Sequence, residues 1–341
     1  MCKFTTLSVE RLCQSTAVFL VSMAMHVTLT TVVFAQTQAW KPAKAVELVV
    51  PAAAGGGTDV ATRVMQKIIT DRRLIESPAL VVNKPGAAGG VAYTYVSQHR
   101  GDPHYLIVTY PSLVTNFLVG TSSIKHTDFT ALAQFSNSYI GFSVRADSPL
   151  KSTKDLLDRL KKDPASVTFG TFALGAGTHL AAAMVAKAAG VDVKKLKVVI
   201  FPSGAQSQAA LLGGHIDVVP TGLSNLAGPI QDGRLRVLAT TAPKRLEGVF
   251  AQVPTWRESG INVVIGQWRG VMAPLGITPA QVAFWEDVFG RLARSDEWIA
   301  DLQKNMDENE YMNSRDARRF LNNEHDEMAR ILQELGLWKQ N

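Results

Sequence analysis

Glu47-Leu48-Val49-Val50-Pro51-Ala52-Ala53-Ala54-Gly55-Gly56-Gly57-Thr58-Asp59 is the stretch on which the reading of the fold turns. An apolar run stops at a proline, residues with no side chain larger than a methyl follow, and a polar pair opens a helical pattern. Val60, Val64 and Ile68, with Ala61, Met65 and Ile69, recur every four residues and give that segment one apolar face. Thr58 is read as the N-cap of the helix, and Asp59 suits its positive end. A strand that passes through a glycine loop into a helix leaves backbone N–H groups without partners, and a bound anion can satisfy them. An ordinary tight strand-to-helix turn looks the same, so the decision falls to the rest of the chain.

Outward from this stretch the pattern alternates strand and helix. Strands are expected at 46–51, Ala79–Asn83 and 105–110, with the second helix opened by Gly86-Ala87-Ala88-Gly89-Gly90 and running to about Gln98. Such a βαβαβ opening implies a parallel sheet with helices on both faces. A longer extended run covers 131–145. A second set of units follows, with strands at 167–170, 196–201, 216–220 and 235–240. Residues 221–233 read as a helix. Residues 263–274 are extended, Thr278-Pro279 caps and opens a helix, and the remainder to Trp338 reads as helical with breaks near Arg294-Ser295 and Asn313-Ser314.

The second set repeats the opening device. Phe169-Gly170 leads through Thr171-Phe172-Ala173-Leu174-Gly175-Ala176-Gly177-Thr178-His179 into an alanine-rich helix, and Pro202-Ser203-Gly204 supplies a third such turn. If each set is a lobe, two helix N-termini point at one cleft, where the carboxyl ends of the strands place ligands in open α/β sheets. A carboxylate accepts well from convergent N–H groups, each helix end contributing about 0.3–1 kcal/mol. Glycine and alanine let the backbone itself approach the ligand.

The 341 residues suit one large or two ordinary domains, and 46% hydrophobic with 19% charged residues describes a well-cored chain. Lys3 and Arg11 precede a mostly apolar run from Ala17 to Phe34, and Val33-Phe34-Ala35 fits a small-x-small cleavage site, so residues 1–35 read as a signal peptide for export. Cys2 and Cys13 both fall in that segment, which leaves the mature chain without disulfide, thiolate or zinc–thiolate chemistry. Removing Lys3, Glu10 and Arg11 lowers the formal net charge from +6 to +5. Lys and Arg are scattered rather than clustered, which argues against nucleic acid as a partner. There is no G-x-S-x-G elbow, no phosphate loop and no H-E-x-x-H helix, and His99, His104, His126 and His179 lack metal-ligand spacing. No enzyme, metal or cofactor is expected.

Six ordered segments carry a family resemblance. The opening loop, Val82-Asn83-Lys84-Pro85-Gly86-Ala87-Ala88-Gly89-Gly90, the helix start from Gly175 to Leu180, Leu211-Leu212-Gly213-Gly214-His215-Ile216-Asp217, Arg236-Val237-Leu238-Ala239, and Val253-Pro254-Thr255 to Gly260 together resemble the substrate-binding proteins of tripartite tricarboxylate transporters, the Bug-type receptors. The resemblance implies an α/β, type II periplasmic-binding-protein fold, with two lobes joined by two crossover segments around a ligand cleft. It implies lobe 1 as 36–136 plus 260–341 and lobe 2 as 137–259. It assigns a ligand carboxylate to Ala53, Ala54, Gly55, Gly56, Gly57, Thr58 and Asp59 on one side. Thr171, Ala173, Gly175, Ala176, Gly177 and Thr178 stand opposite, with Ser203 and Gly204 nearby and Ser112 and Asn116 as further candidates. Ala52 stands where family members often have an aromatic residue, Ala176 where they often have serine, and Ala173 where they often have glycine. A roomier or differently filled pocket follows.

The function so implied is a monomeric periplasmic receptor that closes on a small carboxylate and delivers it to the membrane subunits of a transporter. The alternative is the same fold reporting its ligand state to a membrane sensor such as a sensor kinase. Among single residues, Asp59 serves its helix start as readily as a ligand, His179 suits a structural hydrogen bond, Asp217 suits turn chemistry, and Trp268 and Arg269 suit core packing and a surface guanidinium.

Overall fold

The computed structural model describes residues 40–171, 175–201 and 204–339. The segment 1–35 read as a signal peptide, and the candidate site residues Ala173 and Ser203, lie outside the described residues. Among those described, no helix is long and apolar enough to cross a membrane.

The first elements are β1 (Val46–Val50), α1 (Gly57–Asp71), β2 (Ala79–Asn83), α2 (Gly90–Ser97), β3 (Tyr105–Thr109) and α3 (Ser112–Leu118). A 17-residue strand, β4 (Phe129–Arg145), follows. The middle of the chain holds α4 (Thr153–Lys162), β5 (Thr168–Thr171), α5 (Gly177–Ala188), β6 (Lys197–Ile200), α6 (Gly204–Leu212), β7 (Val219–Gly222), α7 (Ala227–Gln231) and β8 (Leu235–Thr240). The chain ends with β9 (Gly266–Pro274), α8 (Pro279–Ala293), α9 (Asp296–Asn305), β10 (Glu308–Met312) and α10 (Ser314–Glu334).

Strand order in the larger sheet is β10-β4-β9-β3-β1-β2. β1 runs parallel to β2 and β3, as the βαβαβ opening requires, but β9 is antiparallel to both β3 and β4, so the sheet is mixed rather than wholly parallel. The expectation of a parallel sheet holds only for the strands that helices connect. β4 organises the molecule by changing partners along its length. It pairs with β9 from Phe129 to Tyr139, and from Ile140 onward its partners are β7 and β8. β5 and β6 form a parallel pair, which a bridge between Phe169 and Val218 ties to the β7 segment.

Three local expectations need correction. The N-cap of α1 is Gly56, not Thr58, because the chain turns at Gly55 and the helix begins at Gly57, leaving Thr58 inside the first turn. Residues 221–233 are not one helix: Thr221 and Gly222 pair with Gly141 and Ile140 of β4, so β7 continues and a short 3-10 turn precedes α7. Residues 308–312, read as helix, form β10, because Met306 in a left-handed conformation ends α9 and returns the chain to the edge of β4. Thr278 with Pro279 behaves as read, its hydroxyl accepting from Gln281 N–H in a capping box.

The core beneath the larger sheet is aromatic. Phe135 of β4 meets Phe289 of α8 and Trp298 of α9 edge-on, with ring centroids 5.3 and 5.7 Å apart. On the other half of β4, Phe142 meets Trp256 at 4.9 Å. β4 and β9 approach so closely at Gly270 that a Cβ there would lie 2.9 Å from the Ala133 carbonyl oxygen. That neighbour is backbone, which no rotamer change can move. Gly270→Ala should therefore destabilise the protein by about 1–3 kcal/mol, as overpacking does, read as a lower midpoint in urea unfolding; an unchanged midpoint would show that the strand pair can spread.

Candidate functional site

The two glycine loops have the same backbone. Gly55 (φ +81°) and Gly175 (φ +76°) both sit in the left-handed region, where glycine alone is free of strain. Gly56 (φ −74°, ψ 162°) and Ala176 (φ −68°, ψ 155°) then adopt the extended N-cap conformation, and helices begin at Gly57 and Gly177. In each loop the glycine N–H is donated to the side chain four residues ahead, Gly55 to Asp59 Oδ2 at 2.8 Å and Gly175 to His179 Nδ1 at 3.0 Å. Neither helix has a side-chain cap. The N–H groups of its first turn are thus offered outward, where an anion can take them.

The latches differ in chemistry. Asp59 is buried, and its carboxylate also accepts from Arg63 Nε at 2.9 Å and Asn83 Nδ2 at 2.9 Å. The Arg63 guanidinium, then the Gly55 N–H and the Asn83 amide, hold its pKa down at about 2 against the opposing effect of burial. Both oxygens face inward, so Asp59 orders the loop rather than reaching into a cavity. Asn83 reinforces this by donating to Ala52 O at 3.0 Å. His179 accepts at Nδ1 and is therefore neutral, with its proton on Nε2. Burial pushes its pKa below the ordinary 6.5. Thr171 and Thr178 are also buried, their hydroxyls bonded to each other at 2.7 Å, which ties the end of β5 to the start of α5.

A cavity of about 600 Å³ lies at the α5 start. Gly175, Ala176 and Gly177 line one side, and Ser112 and Asn116 of α3 another, so five candidate residues come together there. Ala53, Ala54, Gly55, Gly56 and Gly57 are exposed, but Gly55 and Gly57 line a different cavity of about 340 Å³, with Arg269, Asp301 and Asp307. Gly204 opens α6, accepts from Ser207 Oγ at 2.8 Å, and lines neither cavity.

Eight further residues line the cavity, among them three whose geometry is distinctive: Ala87, Ala88 and Gln267. Ala87 and Ala88 have positive φ (47° and 50°) and form a left-handed turn closed by Gly89 N–H to Gly86 O at 2.9 Å. Left-handed backbone costs a non-glycine residue roughly 1–2 kcal/mol, and Asn116 secures the turn by donating to Ala88 O at 3.0 Å. The third is Gln267 of β9, whose amide lies so close to Gly177 that a Cβ there would overlap it. Alternation along β9 sets Gln267 and Arg269 on one face and Trp268 on the other. Trp268 is buried and donates to Glu324 Oε1 at 3.2 Å, which agrees with a core role. Arg269 is not a surface guanidinium: it is ion-paired with Asp307 and only 20% exposed. Asp217 accepts from Thr168 N–H at 2.8 Å and so fixes the start of β5. No group of three His, Cys, Asp or Glu that could hold a metal ion occurs among the described residues.

The His179 latch gives a pH dependence with a defined sign. Its folded pKa is depressed, so its stabilisation is complete above about pH 6.5 and is lost as pH falls through the lower folded value. His179→Gln, whose amide oxygen can accept the same N–H without titrating, should remove that component. Melting temperatures of the two proteins compared from pH 7.5 to 4.5 should diverge on acidification, the native protein losing more. Parallel curves would remove His179 from this role.

Comparison with known proteins follows from this geometry. The family model described as "Tripartite tricarboxylate transporter family receptor" matches residues 61–337. The "UPF0065 protein in gbd 5'region" of Cupriavidus necator is 30% identical over 308 residues, covering 89% of this chain and 92% of that protein. Among solved structures, periplasmic binding protein BugD superposes with a TM-score of 0.74 at 23% identity, over 88% of this chain and 100% of its own. R. palustris Rpa4515 with adipate superposes with a TM-score of 0.76 at 24% identity, over 86% and 98%. The fold is that of the α/β periplasmic binding proteins.

Proposed function

Because the chain belongs to the tripartite tricarboxylate transporter receptor family, a family of receptors rather than enzymes, we propose that it binds a small carboxylate in the cleft and delivers it to the membrane subunits of a transporter. It acts in the periplasm as a monomer, after loss of residues 1–35. The lobes are 36–136 with 260–341, and 137–259, a division supported by the change of β4 partners between Tyr139 and Ile140. The two uncapped helix starts hold the carboxylate, that of Gly175, Ala176, Gly177 and Thr178 from one lobe and that of Gly55, Gly56, Gly57 and Thr58 from the other. Ser112 and Asn116 form part of the wall.

The observation that carries the proposal is the open start of α5, with its first-turn N–H groups beside a cavity of about 600 Å³. That volume is within the usual range for small-molecule sites, roughly 300–1,000 Å³. The adipate held by the R. palustris relative points to the same ligand class. Closure would be driven by contacts that only the closed state makes, here those of the α1 start, which lines a separate cavity.

Gly56 isolates the site from the fold. Its φ of −74° suits any residue, and a Cβ would meet only the Ala53 carbonyl oxygen, at 3.4 Å, an ordinary contact. Gly56→Val should therefore fold normally yet weaken carboxylate binding at least about tenfold, or roughly 1.4 kcal/mol, by filling the space in front of the α1 N–H groups. Thermal-shift and calorimetric titration of mono-, di- and tricarboxylates tests both points. Wild-type affinity in Gly56→Val would overturn the role of this loop, and no thermal shift with any carboxylate at millimolar concentration would overturn the ligand class.

A further inference from the structure

The chemistry of the cavity wall narrows the ligand, given the receptor reading above. No charged side chain is among the described residues that line it. Most of the wall's polar groups are already bonded within the protein. Asn116 donates to Ala88 O, Thr121 Oγ1 donates to Asn116 O at 3.1 Å, Ser112 pairs with Tyr93 at 3.3 Å, and Tyr110 reaches Pro51 O at 3.4 Å. Pro111, Val119, Ala87 and Ala88 complete the apolar part of the lining.

Gln267 stands apart. Among the described residues its amide has only a long 3.4 Å contact with its neighbour's carbonyl, Gly266 O. It lies against Gly177, where the N–H groups of α5 emerge. An amide NH₂ there adds donors to the same point from a different part of the chain.

We propose that the cavity takes an organic acid with an apolar body, medium-chain or aromatic, and that the Gln267 amide binds its carboxylate together with the α5 main chain. An amino acid would bring an ammonium group with no carboxylate to meet it, since Asp59 is turned inward and shared by Gly55, Arg63 and Asn83. Hydroxyl groups along the ligand would lose water for partners that are already committed, and an unpaired buried polar group is costly. An apolar body loses nothing by entering and gains by leaving water.

Calorimetric titration with hexanoate, octanoate and benzoate, set against aspartate, malate and citrate, tests the class. The first three should bind at least about tenfold tighter than the last three. Equal or tighter binding of aspartate, malate or citrate overturns this inference and leaves the carboxylate-receptor reading intact, whereas no binding by any of the six overturns that reading as well. Gln267→Glu, which sets a like charge against the ligand, should lose at least about tenfold for hexanoate, with the melting temperature of the free protein near that of the native chain. Gln267→Met keeps the length without the donors and should lose binding to a smaller degree, which tests the role even if the Glu variant does not fold. Native affinity for hexanoate in a folded variant of either kind removes Gln267 from the site.

Discussion

A left-handed glycine whose N–H is captured by the side chain four residues ahead is the contact on which both loops depend. It does two things at once. It turns the chain sharply at the end of a strand, and it commits the side chain that would otherwise be free to reach for a ligand. Asp59 and His179 are therefore drawn inward, and the first turns of α1 and α5 face outward as bare backbone. Thr171 and Thr178 complete the arrangement by bonding to each other. With its side chains occupied in holding the loops, the molecule presents main-chain N–H groups at both helix starts.

The loops need a rigid support, and β4 with β9 provides it. One strand that pairs with β9 in its first half and with β7 and β8 in its second lets the helix starts belong to different halves of the chain while sharing a frame. β9 then uses its two faces differently. Trp268 anchors the strand inward, donating to Glu324, whose pKa burial raises to about 7. Gln267 and Arg269 project the other way, each toward a different glycine helix start. The absence of room for a Cβ at Gly270 is the cost of bringing the strands close enough for this.

Much of this was legible in the sequence because it follows from local chemistry. β2 was read at its observed limits, the Thr278-Pro279 start was read from capping rules, and the twin loops were read from glycine spacing. What escaped depends on contacts distant in the chain. Thr58 has the right chemistry for an N-cap, but the Gly55–Asp59 bond moves the helix start ahead of it. β10, with Glu308 and Glu310, lacks the alternation of a half-buried strand and forms because the edge of β4 is available. Gln267 adjoins Trp268 and Arg269, and nothing local says which of the three meets α5. The Ala87-Ala88 turn was hidden for a related reason: alanine does not advertise positive φ, and here Asn116 on α3 holds it.

The same geometry accounts for why charge sits beside the first loop but not within the larger cavity. Arg269 comes close to Gly57, yet Asp307 neutralises it, and Asp301 in the same cavity has its pKa raised by burial and by Asp307. A paired guanidinium keeps its position without offering a net charge, so it stiffens the floor beneath Gly57 rather than competing for an anion there. An unpaired arginine in the larger cavity would bind any anion strongly and discriminate poorly among their bodies. Main-chain donors and one amide would bind a carboxylate less strongly, which would leave a larger share of the selection to the shape and polarity of what it carries. On the proposed reading, selectivity for an apolar body would come from the wall rather than from the loops.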